Sequence, residues 1–259
     1  MQKKLPEMKA ELEAAGREEL PQLLEEYAKD ERAGAAALVQ RFRRKLAKEE
    51  KEDARLYEML SYERKYEKYP HICGIDEAGR GPLAGPVVAG AVILPKGCTI
   101  RYLNDSKQLS EKMREQLYDE IMEKAVAVGV GMASPARIDE INILQATYEA
   151  MREAIGKLSV KPDILLNDAV RIPDVATEQV PIIKGDAKSL SIAAASVIAK
   201  VTRDRLMREY DKIMPEYGFA SHKGYGAAAH IEALRKYGPS PIHRATFLKN
   251  ICEQREADL

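Results

Sequence analysis

No stretch of the 259-residue chain approaches the roughly 18 consecutive apolar residues of a membrane-spanning helix. Charged residues run through the opening stretch from Lys3 to Asp30, so no secretory leader is read there. A cytoplasmic protein with no membrane attachment is expected. Cysteine is scarce: Cys73, Cys98 and Cys252 are odd in number and show no CxxC spacing. That fits reduced thiols in a cytosol better than a disulfide or zinc framework. Net charge is absent too, with 41 basic and 41 acidic residues. Bulk charge therefore cannot hold the chain on nucleic acid, although a local basic groove can. Gly79-Arg80-Gly81-Pro82 fits neither GxGxxG nor GxxxxGK[ST], and GxSxG does not occur. Dinucleotide, Walker-type and serine-hydrolase sites are disfavoured. No repeat of fixed period is visible.

What is present is 45% hydrophobic, enough for one large domain with an appendage or for two small domains. Residues 1–70 hold acids and bases in equal number, almost no β-branched residues, and only Gly16 and Gly34 as glycines. They read as a charged helical extension. A short helix runs from Leu5-Pro6 to Ala15, a second begins near Pro21, and a long pattern runs from Ala35 to Tyr66. Its middle, Lys48 to Asp53, is polar all round and expected in solvent. The cluster Arg41, Arg43, Arg44, Lys45 and Lys48 is either a solvated face or a phosphate-contacting arm. From His71 to residue 259 strands and helices alternate. Strands are expected at His71–Ile75, Val87–Leu94, Thr99–Tyr102, Ala127–Met132, Asp163–Asn167 and Val180–Ile183. Helices are expected from Ser110 to Val126, Asp139 to Leu158, Ser191 to Met214, His230 to Tyr237 and, more weakly, Arg244 to Cys252. The Ala/Ser-rich start of the helix at Ser191 would let it press close to a sheet. The class is α/β, a mixed sheet covered by helices.

Acids fall at strand ends. Asp76 and Glu77 close the first strand and precede a loop of three glycines, one arginine and two prolines, ending at Pro86. Asp168 and Asp186 follow later strands. Groups at strand ends of α/β sheets can converge. Oxygen donors without His or Cys suit Mg²⁺ or Mn²⁺, and two such ions would serve an in-line phosphoryl displacement. Asp186 could instead be a turn residue. Asn104 to Ser110 is either a helix N-cap loop or a phosphate-contact loop. Tyr225, between Gly224 and Gly226, suits a ring offered to a sugar or base. His222, His230 and His243 are too irregularly spaced for a metal cluster.

Gly74 to Val87, with Asp76-Glu77-Ala78-Gly79-Arg80-Gly81-Pro82 at its centre, resembles the signature of the type 2 ribonucleases H, the ribonuclease HII family. So do Asp105-Ser106-Lys107-Gln108-Leu109, the run from Asp186 to Asp204, and His222-Lys223-Gly224-Tyr225-Gly226, all in family order. The resemblance implies a ribonuclease H-like mixed sheet flanked by helices, with an all-α N-terminal extension such as some bacterial members carry to aid substrate binding. It implies an endonuclease that hydrolyses the RNA strand of RNA–DNA hybrids. Such an enzyme also cuts 5′ of ribonucleotides embedded in duplex DNA, as in ribonucleotide excision repair, leaving 3′-hydroxyl and 5′-phosphate ends. Asp76, Glu77, Asp168 and Asp186 match the catalytic, Mn²⁺- or Mg²⁺-binding acids. Gly79, Arg80 and Gly81 match the loop that senses the ribose 2′-hydroxyl, and Tyr225 the ring on the neighbouring sugar. Ser106, Lys107, Lys188, Ser189, Ser196 and Arg203 match phosphate-contact positions. Ala169 stands where glycine is common. The expected partners are hybrid and ribonucleotide-containing duplexes, met by a monomer. Two other readings are a DNA-cutting, integrase-like relative and a non-catalytic hybrid-binding module. Alternation along a strand would send Asp76 and Glu77 to opposite faces, so a shared site requires a bend there or a backbone contribution.

Overall fold

A computed structural model of the chain describes residues 3–248. The chain divides after Tyr57 into two compact units. The first contains α1 (Leu5–Ala14), α2 (Leu20–Tyr27) and most of α3 (Ala33–Met59). Pro6 and Pro21 sit in the first turns of α1 and α2, where a missing N–H costs nothing. Met8, Leu12, Leu24, Tyr27, Val39 and Phe42 bury one shared apolar cluster within this unit. The long helical pattern ends earlier than expected: α3 stops at Met59, and a separate short helix, α4 (Ser61–Lys65), follows. Within the expected solvent-exposed stretch Glu52 is buried, with Arg55 donating to both its oxygens at 2.8 Å.

The second unit starts at Glu58, before the change of composition at His71. Tyr62, Tyr66 and Tyr69 explain the offset, because they pack on Ile72, Ile164 and Leu166 of the sheet. Its strands are β1 (Ile72–Ala78), β2 (Val87–Ile93), β3 (Ala127–Ala133), β4 (Ile164–Asp168) and β5 (Glu178–Ile182). Their order across the sheet is β3-β2-β1-β4-β5. β1, β2 and β3 pair antiparallel, whereas β4 lies parallel to β1 and β5 parallel to β4. The helices of this unit are α4, α5 (Glu111–Lys124), α6 (Pro135–Ile141), α7 (Ile143–Gly156), α8 (Leu190–Ile213), α9 (Phe219–His222) and α10 (Ala228–Tyr237). Ser110, Ser134 and Ser189 cap α5, α6 and α8 by accepting an amide hydrogen bond.

Two expectations are corrected. Thr99–Tyr102 is a turn and not a strand: Tyr102 takes a positive φ of 64°, which breaks extended geometry, although Ile100 is fully buried. Asp139–Leu158 is two helices. Asn142, at φ 68°, ends α6 and caps α7 with its own side chain, accepting from Leu144 and Gln145. The weak helix at Arg244 is seen only as a helical turn at residues 245–248, and its remainder lies outside the described residues.

The two faces of the sheet carry different helices. Cys73, Ile75, Ala89 and Ala91 pack with Ala146, Ala150 and Ala154 of α7. The opposite face meets α8. A Cβ on Gly74 would lie 2.0 Å from the Ser191 carbonyl carbon, and one on Gly90 2.5 Å from the Ala195 oxygen. The first three turns of α8, from Leu190 to Ala199, are wholly buried. Small residues on both sides thus set the helix directly on the sheet backbone. Gly74→Val should lower the unfolding free energy by about 3 kcal/mol through overpacking, read from a denaturant midpoint; an unchanged midpoint would contradict the close approach.

Candidate active site

The face pressed by α8 is also the face that gathers acids. Asp76 is two residues past Gly74 on β1, and Asp168 two past Leu166 on β4, so both share that side of the sheet. The parallel register pairs Ile75 with Asn167, which makes Asp76 and Asp168 the next neighbours at the C-terminal ends of adjacent strands. β5 ends at Ile182. After Lys184, whose φ of 57° reverses the chain, a short 3-10 turn at Gly185–Ala187 carries Asp186 back toward Asp168. The Gly185 amide donates to Asp168 Oδ1 at 2.7 Å, which ties the turn to β4.

Asp76 and Asp186 are only 5% and 6% exposed. Burial, followed by the charges of Glu77 and Asp168, pushes the Asp76 carboxyl well above the usual range, against a hydrogen bond from Ser196 and one from the Glu77 amide at 2.8 Å. Burial also raises Glu77, with Arg80 opposing from 3.3 Å. Asp186 is raised by burial, then by Asp105 and Asp168. Lys107 lies among these acids. Burial works against its charge, but Asp105, Asp186, Asp76 and Asp168 together hold it above its ordinary value.

β1 keeps its pairing with β2 through Ala78↔Val88, so no extra residue turns Glu77 to the other face. Its position at the strand end, with Gly79 at φ 92° two residues on, is what matters. There it lines the same cleft as Ser196. The cleft is about 200 Å³ and also holds Gly79, Arg80, Gly81, Ser106, Lys107, Lys200 and Tyr225. Ser106 and Ser196 hydrogen-bond across it at 2.9 Å. Tyr225 is 44% exposed, with the Lys200 ammonium 5.8 Å from its ring centre.

Carboxylate oxygens crowded in a buried setting, without imidazole or thiol, are the donor chemistry of a hard divalent cation. Among the described residues, no group of three or more His, Cys, Asp or Glu side chains is placed so that it could hold a metal ion. The oxygen-only donor types match the chemistry of such an ion, while the side chains as placed do not converge on one point.

Three expected phosphate contacts are placed differently. Lys188 is exposed, between Asp186 and α8, but it does not line the cleft. Ser189 is fully buried: its hydroxyl donates to Glu63 Oε1 at 2.6 Å and accepts from the Ile192 amide. Arg203 is fully buried too, its guanidinium donating to the carbonyls of Pro86, Lys223 and Ala84 at 2.9 Å each. Neither group can reach a phosphate. The histidines form a packed cluster, with His230 Nε2 2.9 Å from His243 Nε2 and His222 stacked on His230.

Sequence reasoning missed Glu63, Lys200 and Arg244. Glu63 leaves α4 to accept from both the Ser189 hydroxyl and the Ser191 amide, at 2.6 and 2.9 Å. It thereby anchors the N-terminal turn of α8, beside the turn bearing Asp186. In sequence it is one acid among many in a charged stretch, and no spacing marks it. Lys200 follows Ser196 by one helical turn and pairs with Asp204 at 2.8 Å. Glu63→Ala should cost about 1–3 kcal/mol of stability, since it leaves a buried hydroxyl and an amide unpaired. Chemical denaturation checks this, and wild-type stability would show the anchor to be idle.

A family model described as Ribonuclease HII matches residues 73–250, and one described as Ribonuclease HII N-terminal domain matches residues 4–67. A ribonuclease HII of Lachnoclostridium phytofermentans is 63% identical over 248 residues, covering 96% of this chain and 98% of that protein. One of Ruminiclostridium cellulolyticum is 56% identical over 83% of this chain and 86% of its own length. Among solved structures, ribonuclease H2 from Pyrococcus horikoshii OT3 superposes with a TM-score of 0.59 at 29% identity. It spans 72% of this chain and 99% of that one.

Proposed function

The chain belongs to the ribonuclease HII family, an endonuclease of RNA–DNA hybrids, and from that premise we propose that it also cuts duplex DNA 5′ of a single embedded ribonucleotide. The products are a 3′-hydroxyl and a 5′-phosphate. The observation that supports this reading is that Asp76 and Asp168 lie on neighbouring strand ends, with the Asp186 turn tied to Asp168, while Glu77, next to Asp76, lines the cleft walled by Gly79–Gly81 and Tyr225.

Asp76, Glu77, Asp168 and Asp186 would hold Mn²⁺ or Mg²⁺, which in a two-ion arrangement would supply a water nucleophile at neutral pH and offset charge on the leaving 3′-oxygen. The remaining roles belong to the chain. A ribose 2′-hydroxyl both donates and accepts, and it is what separates RNA from DNA at one position. The backbone of Gly79, Arg80 and Gly81 meets it without regard to base. A site built for that hydroxyl rejects the deoxy analogue because its own polar groups would be left unpaired. The Tyr225 ring, on an exposed loop beside the cleft, packs on the adjoining sugar. Lys107 places a cation between the acids and the phosphodiester. Lys188, exposed beside Asp186, contacts a phosphate further along the strand. The Ser106–Ser196 pair offers hydroxyls to the scissile phosphate. All these groups come from one chain, so a monomer suffices.

The helical unit before Glu58 adds substrate affinity through Arg41, Arg43, Arg44, Lys45 and Lys48 on α3, of which Arg41, Arg43, Arg44, Lys45 and Lys48 are all exposed. Removing residues 1–57, which leaves Glu63 in place, should raise KM several-fold with kcat within about twofold, in steady-state assays at fixed salt. Unchanged KM with lower stability would assign the unit a packing role.

Wild-type protein with Mn²⁺ should cleave a duplex holding one ribonucleotide and leave the all-DNA duplex intact, and EDTA should abolish cleavage. Asp76→Asn should lose at least about 100-fold in kcat. Cutting of all-DNA duplex would favour an integrase-like activity, and chelator-resistant binding without turnover a non-catalytic module.

A further inference from the structure

Two guanidinium groups lie fully buried directly beneath the glycine loop. Arg203 reaches it from α8 and Arg244 from the segment after α10. Arg203 donates to the carbonyls of Pro86 and Ala84. Arg244 donates to Gly79 at 2.6 Å, Arg80 at 2.8 Å and Gly85 at 3.0 and 2.8 Å. Together they hold five loop carbonyls. The third Arg203 bond goes to Lys223, which precedes Gly224-Tyr225, so one side chain ties the glycine loop to the tyrosine loop.

The arrangement is costly enough to need a reason. Burial, then the facing charge of Arg203, pushes the Arg244 guanidinium down to about 9, and burial lowers Arg203 as well. Two like charges are therefore kept side by side in the interior. The loop also gives up side chains to admit them. A Cβ on Gly79 would sit 2.1 Å from Arg203 Nε, and one on Gly85 3.1 Å from its Nη2. A peptide whose carbonyl points inward tends to turn its following amide outward. The carbonyls of Gly79 and Arg80 precede the amides of Arg80 and Gly81. Among the described residues those two amides donate to no backbone carbonyl, and both residues are exposed in the cleft.

We propose that Arg203 and Arg244 are positioning residues for ribose discrimination: by drawing the loop carbonyls inward they aim the Arg80 and Gly81 amides at the 2′-hydroxyl. The inference rests on the proposed reading of the cleft as a ribonucleotide site. Neither arginine touches substrate. Their effect belongs in kcat and in selectivity, because the duplex contacts that set KM lie elsewhere.

The test compares wild type, Arg244→Lys and Arg244→Ala on duplexes carrying, at one position, a ribonucleotide or its 2′-fluoro analogue. Assays run with Mn²⁺ and well below each variant's unfolding temperature. Lysine keeps the charge but cannot fork between carbonyls. In both variants the ribonucleotide-to-fluoro selectivity and kcat on the ribonucleotide should fall about 10- to 100-fold, with KM within about twofold. Millimolar guanidinium should restore part of the selectivity to Arg244→Ala. If that variant does not fold, Arg244→Lys carries the test alone. Equal losses on both substrates, leaving selectivity as in wild type, would overturn the positioning role. A wild-type protein indifferent to the 2′-substituent would instead sink the proposed function itself.

Discussion

Everything at the site depends on how closely α8 lies on the sheet. A helix packed on side chains of ordinary size stands about 10 Å from a strand layer. Here Gly74 and Gly90 remove the side chains on one surface, and Ala193, Ala194, Ala195 and Ala199 keep them small on the other. The contact brings Ser196, paired with Ser106, and Lys200, one turn later, into the cleft beside the acids. It also fixes the N-terminal end of α8, with its Ser189 cap and Glu63 anchor, close to the turn bearing Asp186. A larger residue at either glycine would displace the helix, and with it every group that α8 carries to the acids.

The same helix holds the loop that follows the acids. Arg203 lies two turns beyond Ser196 and reaches under the loop where Arg244 reaches from the other side. Glycine is required at 79 and 85 for two reasons that act together. Both residues adopt positive φ, and the space a Cβ would occupy is taken by Arg203 or by Met207. A flexible sequence is thereby held as a defined surface, since its carbonyls are tied inward and Leu83 and Ala84 donate to the Gly224 carbonyl. Tyr225 inherits its placement from the same framework, with His230 Nδ1 2.8 Å from its carbonyl oxygen.

Most of the fold was legible in the chain because helix and strand leave local periodicities. The strands near residues 72, 87, 127, 164 and 180 and the helices at Ser110, Ser191 and His230 were read within a few residues of their bounds. The errors fell where one residue of unusual backbone geometry outweighs a pattern. Asn142 and Tyr102, both at positive φ, broke an expected helix and replaced an expected strand. The start of the second unit was missed because three tyrosines in a charged stretch look like a solvated helix until the sheet that receives them is in place. Strand order was not legible, for pairing across the sheet leaves no mark on neighbours in the chain.

At the site the division is sharper. The chain alone already showed Asp76, Glu77 and Asp168 closing strands and Asp186 following one, the glycine loop, the tyrosine between glycines and the family to which these blocks belong, because each is a short run whose residue types carry its chemistry. The surroundings of individual cations and hydroxyls, by contrast, were set by packing between distant segments. Arg203 and Ser189 resembled phosphate contacts by position and are interior braces, while Glu63 and Arg244 had no motif at all. Their partners lie 117 residues away for Arg203, 126 for Ser189 and 165 for Arg244. Whether a charged side chain faces solvent or a carbonyl depends on what packs above it, and that is settled when α8 meets the sheet.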